Sequence, residues 1–201
     1  DYEYLDWKKC VTTNIYNNDF YAAHNSFIEE SVFVEEGSYI ENSYLLGTTK
    51  VASNSVISGM VLDNTTIPEG VVVHGLKLKN GMYTVRIYGV NDNPKKTYQD
   101  NAAFLAGNLQ DFLTGNELEL SDVWSGHEYY LWFASLYPVC KTMKEGLAFA
   151  QILYRMSQYT ATKEDIALWK SKERMSLYSS FNEADVKEIV PWTKELENRI
   201  L

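Results

Sequence analysis

Between Phe27 and His74, aliphatic residues return at every sixth position. They fall at Ile28, Val34, Ile40 and Leu46, then after a one-residue slip at Val51 and Ile57, and after another at Ile67 and Val73. Small or acidic residues follow them at Glu29, Glu35, Glu41, Gly47, Ala52 and Ser58. A sustained short period of this kind predicts a parallel β-helix of hexapeptide repeats. Each hexad supplies a strand and a bend, the aliphatic residue fills the narrow prism, and neighbouring coils bury one another. Roughly 18 residues per turn across residues 27–74 predicts fewer than three turns. So short a coil requires other structure at its ends.

Beyond the ladder the period changes to two. The runs around VVVHGLKLKNGMYTVRIYGV flank Asn80-Gly81, the pair preferred in a two-residue type I′ turn, and predict a hairpin over 71–90. Leu76 and Leu78 are expected on one face and Tyr83, Val85 and Ile87 on another. Lys77, Lys79 and Arg86 are expected to face solvent. A hairpin needs a packing partner. Residues 1–25 carry no clean period, and Val11, Ile15 and Phe20 fit an irregular opening coil.

From about Gln99 helix formers dominate. Asn108–Thr114 ends at Gly115, a stop signal. An aromatic block around Trp124 and Tyr129–Tyr137 closes at Pro138. Thr142 with Glu145 forms a capping-box pattern opening a helix to about Tyr159, with Leu147, Ala150, Ile152, Leu153 and Met156 inward. Thr162 starts another helix carrying Ile166, Leu168 and Trp169. Asn182 is expected to cap a third bearing Val186 and Ile189, broken near Pro191 before a last helix through Leu196 and Ile200. The fold class is therefore α+β: a β-helix with its hairpin over 1–98, then an α-helical region over 99–201 packed on it.

The chain has 201 residues, 45% of them hydrophobic, and a formal net charge of -9. That acidity argues against nucleic acid and anionic membranes as partners. No apolar run approaches the ~18 residues of a membrane span. Cys10 and Cys140 make no disulfide framework, so a reducing, cytoplasmic setting is expected. The chain opens on DYEYLDWKK, with neither initiator methionine nor signal peptide, and reads as a piece of a longer protein.

Candidate chemistry is sparse. GxxxxGK[ST] and a strand-borne GxGxxG are missing, and His127-Glu128 lacks the second histidine of HExxH. No catalytic residue, metal ligand or cofactor contact is assigned. The polar stretch after the hairpin offers Asn91, Asp92, Asn93 and Lys95 as candidate substrate-binding residues for a phosphate or sugar. The competing reading is a solvated turn rich in residues that tolerate left-handed backbone. His24 and His74 are either the bases of a trimeric hexapeptide acyltransferase or turn histidines satisfied locally. Tyr129, Tyr130, Trp132 and Phe133 read as a joining core.

Three passages carry a resemblance: HGLKLKNGMYTVRIYGVNDNPK from His74, LWFASLYPVC over 131–140 and ERMSLYSSFNEADV over 173–186. They resemble the bifunctional L-fucokinase/fucose-1-phosphate guanylyltransferase (GDP-fucose pyrophosphorylase) family, in its middle region. The resemblance implies a left-handed β-helix lying between a nucleotidyltransferase domain and a sugar kinase domain. It implies a parent that converts fucose to fucose 1-phosphate and then to GDP-fucose, using ATP, GTP and Mg. Both phosphate-binding loops of that parent are missing here. The expectation is thus a non-catalytic connector, its partners the flanking domains of its own chain and a possible homo-oligomer mate. The alternatives are a sugar-phosphate or sugar-nucleotide binding module and an acyltransferase.

Overall fold

The computed structural model describes residues 21–126 and 128–186. The coil is present, and it is slightly tighter than hexads would make it. Ten short strands stack in three parallel columns. The first column holds β1 (Ala22–His24), β4 (Tyr39–Glu41), β7 (Val56–Ser58) and β10 (Val71–Lys77). The second holds β2 (Phe27–Ile28), β5 (Tyr44–Leu46) and β8 (Val61–Asp63), and the third β3 (Phe33–Val34), β6 (Lys50–Val51) and β9 (Thr66–Ile67). The solenoid completes about three turns. It exceeds the expected count because it begins by Ala22 and because equivalent residues lie 17, and later 16, positions apart.

The missing residue in each turn explains the slips. Ile40, Ile57 and Val73 point inward in the first column, Leu45 and Leu62 in the second, and Val34, Val51 and Ile67 in the third. The step from Ile40 to Leu45 is one residue short of a hexad, so Leu45 fills the prism at 0% exposure and Leu46 does not. A side-chain period of two along a strand makes this a change of face.

The corners account for the shortening. Residues of positive φ recur there: Asn25, Asn42 and Gly59 at one, Gly37, Asn54 and Gly70 at the next, Gly47 and Asn64 at the third. Asparagine and glycine enter this region most readily. A serine or threonine follows at most corners, and its hydroxyl accepts from a backbone N–H of the next coil. Ser26 accepts from Ser43, Ser43 from Met60, Ser38 from Ser55, and Thr49 from Thr65, at 3.1–3.3 Å. These hydroxyls satisfy amides at bends where strand pairing lapses. Glu29 and Glu35 do similar work, accepting from the amides of Gly47 and Ser53 one coil on.

The hairpin forms between β10 and β11 (Tyr83–Gly89). Its turn differs from the expected I′ form. Only Gly81 has positive φ, Gly81 N–H donates to the Leu78 carbonyl, and Leu78 N–H donates to Met82. The loop is thus Lys79-Asn80-Gly81, with Gly81 as the left-handed bulge residue of a three-residue connection. Asn80 stays out of the left-handed region, and its side-chain carbonyl accepts from Met82 N–H.

The sheet does not stop at position 98. The first column continues antiparallel through β11 into β14 (Tyr137–Cys140) and β15 (Arg174–Met175), making seven strands. Pro138, expected to end the aromatic block, lies within β14. A small hairpin of β12 (Ala103–Phe104) and β13 (Gly107–Asn108) precedes the helices α1 (Leu109–Gly115) and α2 (Leu120–Val123), and a 3₁₀ turn follows at Leu131–Phe133. Asn108 caps α1 through its side chain.

Helix α3 (Met143–Ser157) starts at Thr142 and buries Leu147, Ala150, Ile152, Leu153 and Met156, the expected face. Gly146 lets it approach β11, since a Cβ there would sit 2.8 Å from Val85 Cγ2. Helix α4 (Lys163–Lys170) opens on the Thr162–Asp165 capping box; it buries Trp169 and leaves Leu168 exposed. Helix α5 (Leu177–Glu183) is capped by Ser176, and Asn182 lies in its last turn instead of capping it. Val11, Ile15, Phe20, Ile189, Pro191, Leu196 and Ile200 fall outside the described residues. No helix among the described residues is long and apolar enough to cross a membrane.

Candidate polar groove

Inward residues occupy one side of the first column, so their chain neighbours must point out. Strand register then aligns those neighbours. His24 pairs with Glu41, Glu41 with Ser58, Ser58 with His74, and His74 with Arg86. Five successive strands carry one polar row, and adjacent strands set its rungs about 4.8 Å apart. The Ser58 hydroxyl donates to Glu41 Oε1 at 2.7 Å. Arg86 donates to His74 Nδ1, which leaves the ring proton on Nε2.

Arg86 was expected in solvent and is instead buried at 8% exposure. Its strand lies inside the seven-stranded sheet, with both edges paired by β10 and β14, and side chains on both of its faces are buried, Arg86 beside His74, Tyr88 and Tyr137. Burial depresses the guanidinium pKa, opposed by the nearby Tyr88 and Tyr137. Among the described residues no carboxylate forms an ion pair with it. Arg86 Nε and the Tyr137 hydroxyl, both buried, have no hydrogen-bond partner among the described residues. Burial, then the Arg86 charge, pushes the His74 pKa down to about 3. His74 is therefore a neutral imidazole at physiological pH.

The row opens into a groove of about 530 Å³. Glu41, Ser58 and His74 line one wall, Lys77 and Asp185 lie at the hairpin end, and Tyr44, Val61, Leu76 and Met143 supply apolar surface. Gly75 makes the close approach possible. A Cβ there would meet the Gly59 carbonyl oxygen at 2.5 Å and the Met143 sulfur at 2.6 Å. Asn25 and Asn42 extend the polar wall, their carboxamides bonded at 2.6 Å.

The structure places Asn91, Asp92, Asn93 and Lys95 elsewhere. They follow Gly89, which pairs with Val71, whereas the groove lies at the Lys77–Tyr83 end of the hairpin. Asn91, Asn93 and Lys95 are exposed, and the Asn93 carboxamide accepts from Lys95 N–H at 3.0 Å. Asp92 turns inward and accepts from Gly89 N–H at 2.7 Å and Leu105 N–H at 3.0 Å. His24 and His74 lie on strands rather than turns, and His127 is outside the described residues. Cys140 is a buried thiol whose pKa burial pushes up to about 11. No cluster of three metal-ligating side chains occurs among the described residues.

Asp92 and His74 oppose one another in pH dependence. Burial raises Asp92 to about 6 from 3.8, against the two backbone bonds. Between those values the folded chain holds a proton that the unfolded chain lacks, so this stabilisation is lost as pH rises through 6. The folded His74 refuses a proton that the unfolded chain binds below pH 6.5. Its contribution is present above 6.5 and is lost as pH falls toward 3. The two slopes offset each other between pH 4 and 6. With Asp92→Asn, stability should fall more steeply on acidification across that range, by up to about 1.4 kcal/mol per pH unit relative to the parent. Urea midpoints at stepped pH measure this, and parallel curves for the two proteins would contradict it.

The fold and groove define a parallel β-solenoid whose sheet runs on into a helical layer. Residues 2–142 match the fucose pyrophosphorylase domain, and the chain belongs to that family. It is similar to a bifunctional fucokinase/GDP-fucose pyrophosphorylase of Arabidopsis thaliana, 35% identical over 92 residues, 44% of this chain and 8% of that protein. It is also similar to a fucose-1-phosphate guanylyltransferase of Mus musculus, 29% identical over 142 residues, 61% of this chain and 22% of that protein. The chain thus spans well under two thirds of the length of either relative. No solved structure matches.

Proposed function

We propose that this chain is the solenoid-centred connector of a GDP-fucose-forming enzyme, holding a nucleotidyltransferase domain and a sugar kinase domain in fixed relation. The observation that carries the reading is the continuous sheet. A family match extending from residue 2 to residue 142 crosses from the solenoid into β14, and seven strands tie the two regions together without a flexible link. Such a unit transmits orientation because its interior is close-packed and resists bending. The phosphate-binding loops of both reactions are missing from the sequence, so ATP, GTP and Mg would bind to the flanking domains, in the cytoplasm.

The test is turnover. The isolated chain, supplied with fucose and ATP or with fucose 1-phosphate, GTP and Mg, should release neither ADP nor pyrophosphate. Measurable release by this chain would overturn the connector reading.

A further inference from the structure

The groove has features that a spacer does not require. Its floor is a register-aligned row of hydrogen-bonding side chains rather than the isolated, mobile charges of an ordinary surface. Glu41 is fixed by the Ser58 hydroxyl at 2.7 Å. His74 is fixed by the buried Arg86, so its tautomer is set and its Nε2–H serves as a donor. A row of fixed acceptor, hydroxyl and donor groups suits a ligand with several hydroxyls, each of which both gives and accepts a hydrogen bond.

Charge selects among polar ligands. Among the described residues, Glu41 and Asp185 bring two carboxylates against the ammonium of Lys77 and the buried guanidinium of Arg86 behind the neutral His74, so the charges balance. The charge that lies within the row itself is the Glu41 carboxylate, which repels a phosphate and not a neutral ring. The apolar side completes the match. Tyr44, Val61, Leu76 and Met143 present hydrocarbon and one aromatic ring alongside the polar row. A pyranose has the same two-sidedness, with hydroxyls at its rim and C–H groups on its face. The volume of about 530 Å³ is within the range of small-ligand sites.

We propose that the groove along Glu41, Ser58 and His74 is a binding site for a neutral, hydroxyl-rich sugar ring. Glu41 accepts from adjacent hydroxyls, Ser58 and His74 Nε2–H complete the polar contacts, and Met143 packs on the ring face. The site is distinct from the Asn91–Lys95 loop and independent of the connector reading. Failure to bind sugar leaves the connector standing, and turnover by the chain leaves the sugar site standing.

The experiment uses this chain, with amide chemical-shift titration against L-fucose, D-galactose and D-glucose, and separately against inorganic phosphate. At least one sugar should bind saturably in the millimolar range, with shifts centred on Glu41, Ser58 and His74. Glu41→Gln should weaken it about tenfold or more, the loss expected for one charged hydrogen bond. Lys95→Ala should leave it unchanged. If Glu41→Gln fails to fold, Ser58→Ala decides, because it releases the carboxylate without changing charge. Silence with every sugar up to about 50 mM would overturn the proposal. So would binding of phosphate alone, or shifts confined to residues 91–95.

Discussion

Trp169→Ala should cost about 5 kcal/mol of folding stability and unfold the helical layer near room temperature. Trp169 is fully buried, and its indole Nε1–H donates to the Leu136 carbonyl at 2.9 Å. The Arg174 guanidinium lies 4.2 Å above the ring and donates to carbonyls at Ser135, Trp169, Lys170 and Asp122. One side chain thus joins α4 to the residues that lead into β14 and β15. Large-to-small replacement at such a site costs about 3–5 kcal/mol, and the orphaned Leu136 carbonyl adds about 1–3. Since whole domains are stable by only about 5–15 kcal/mol, the loss should be visible without denaturant. Trp169→Phe keeps most of the volume and loses the N–H, so it should cost about 1–3 kcal/mol. Equilibrium urea unfolding measures both. A loss under about 2 kcal/mol for the alanine variant would contradict this account.

Ile57→Ala should cost about 3–4 kcal/mol, and it acts on the solenoid. Ile57 sits on β7 between Ile40 and Val73 in the inward stack, at 0% exposure. The coils above and below are held by backbone pairing at strand spacing, so the prism cannot collapse onto the void. That places the cost toward the upper part of the about 2–5 kcal/mol range for aliphatic truncation. Ile57→Val should cost about 1 kcal/mol. Phe33→Ala, at 58% exposure on the outer face, should cost little. Calorimetric melting of the three variants checks the order, and an Ile57→Ala loss no larger than that of Phe33→Ala would refute the packing.

The Asp92→Asn comparison and the sugar titration probe the two ends of the hairpin separately. Their independence follows from the fold, since the Asp92 loop and the groove lie at opposite ends of β10 and β11.

Much of the architecture was legible because solenoid packing is local in sequence. A prism wall needs an aliphatic residue at nearly fixed spacing, and Val34, Ile40, Val51, Ile57, Ile67 and Val73 announce that need. Leu46 was misplaced because the corner after each first-column strand is one residue short. The sign of that corner was present in Asn25-Ser26 and Asn42-Ser43, where a left-handed residue precedes a hydroxyl, and the same pair marks the other two corners at Asn54-Ser55 and Asn64-Thr65. The capped starts at Thr142 and Thr162 were equally readable, because a cap is settled within four residues.

The groove was not legible, because pairing joins residues that sequence separates. Glu41, Ser58 and His74 become neighbours only when coils stack, and nothing local marks Ser58 as the partner of Glu41. Arg86 shows the limit most clearly. Alternation along its strand put it on the solvent side, and the side chains of His74, Tyr88 and Tyr137 gathered around it reversed that. Sequence by itself thus determined the repeat, the hairpin and the helix starts, each governed by short-range sterics and capping. Tertiary structure alone decided the seven-stranded continuity and the polar row, because both depend on which strands lie side by side.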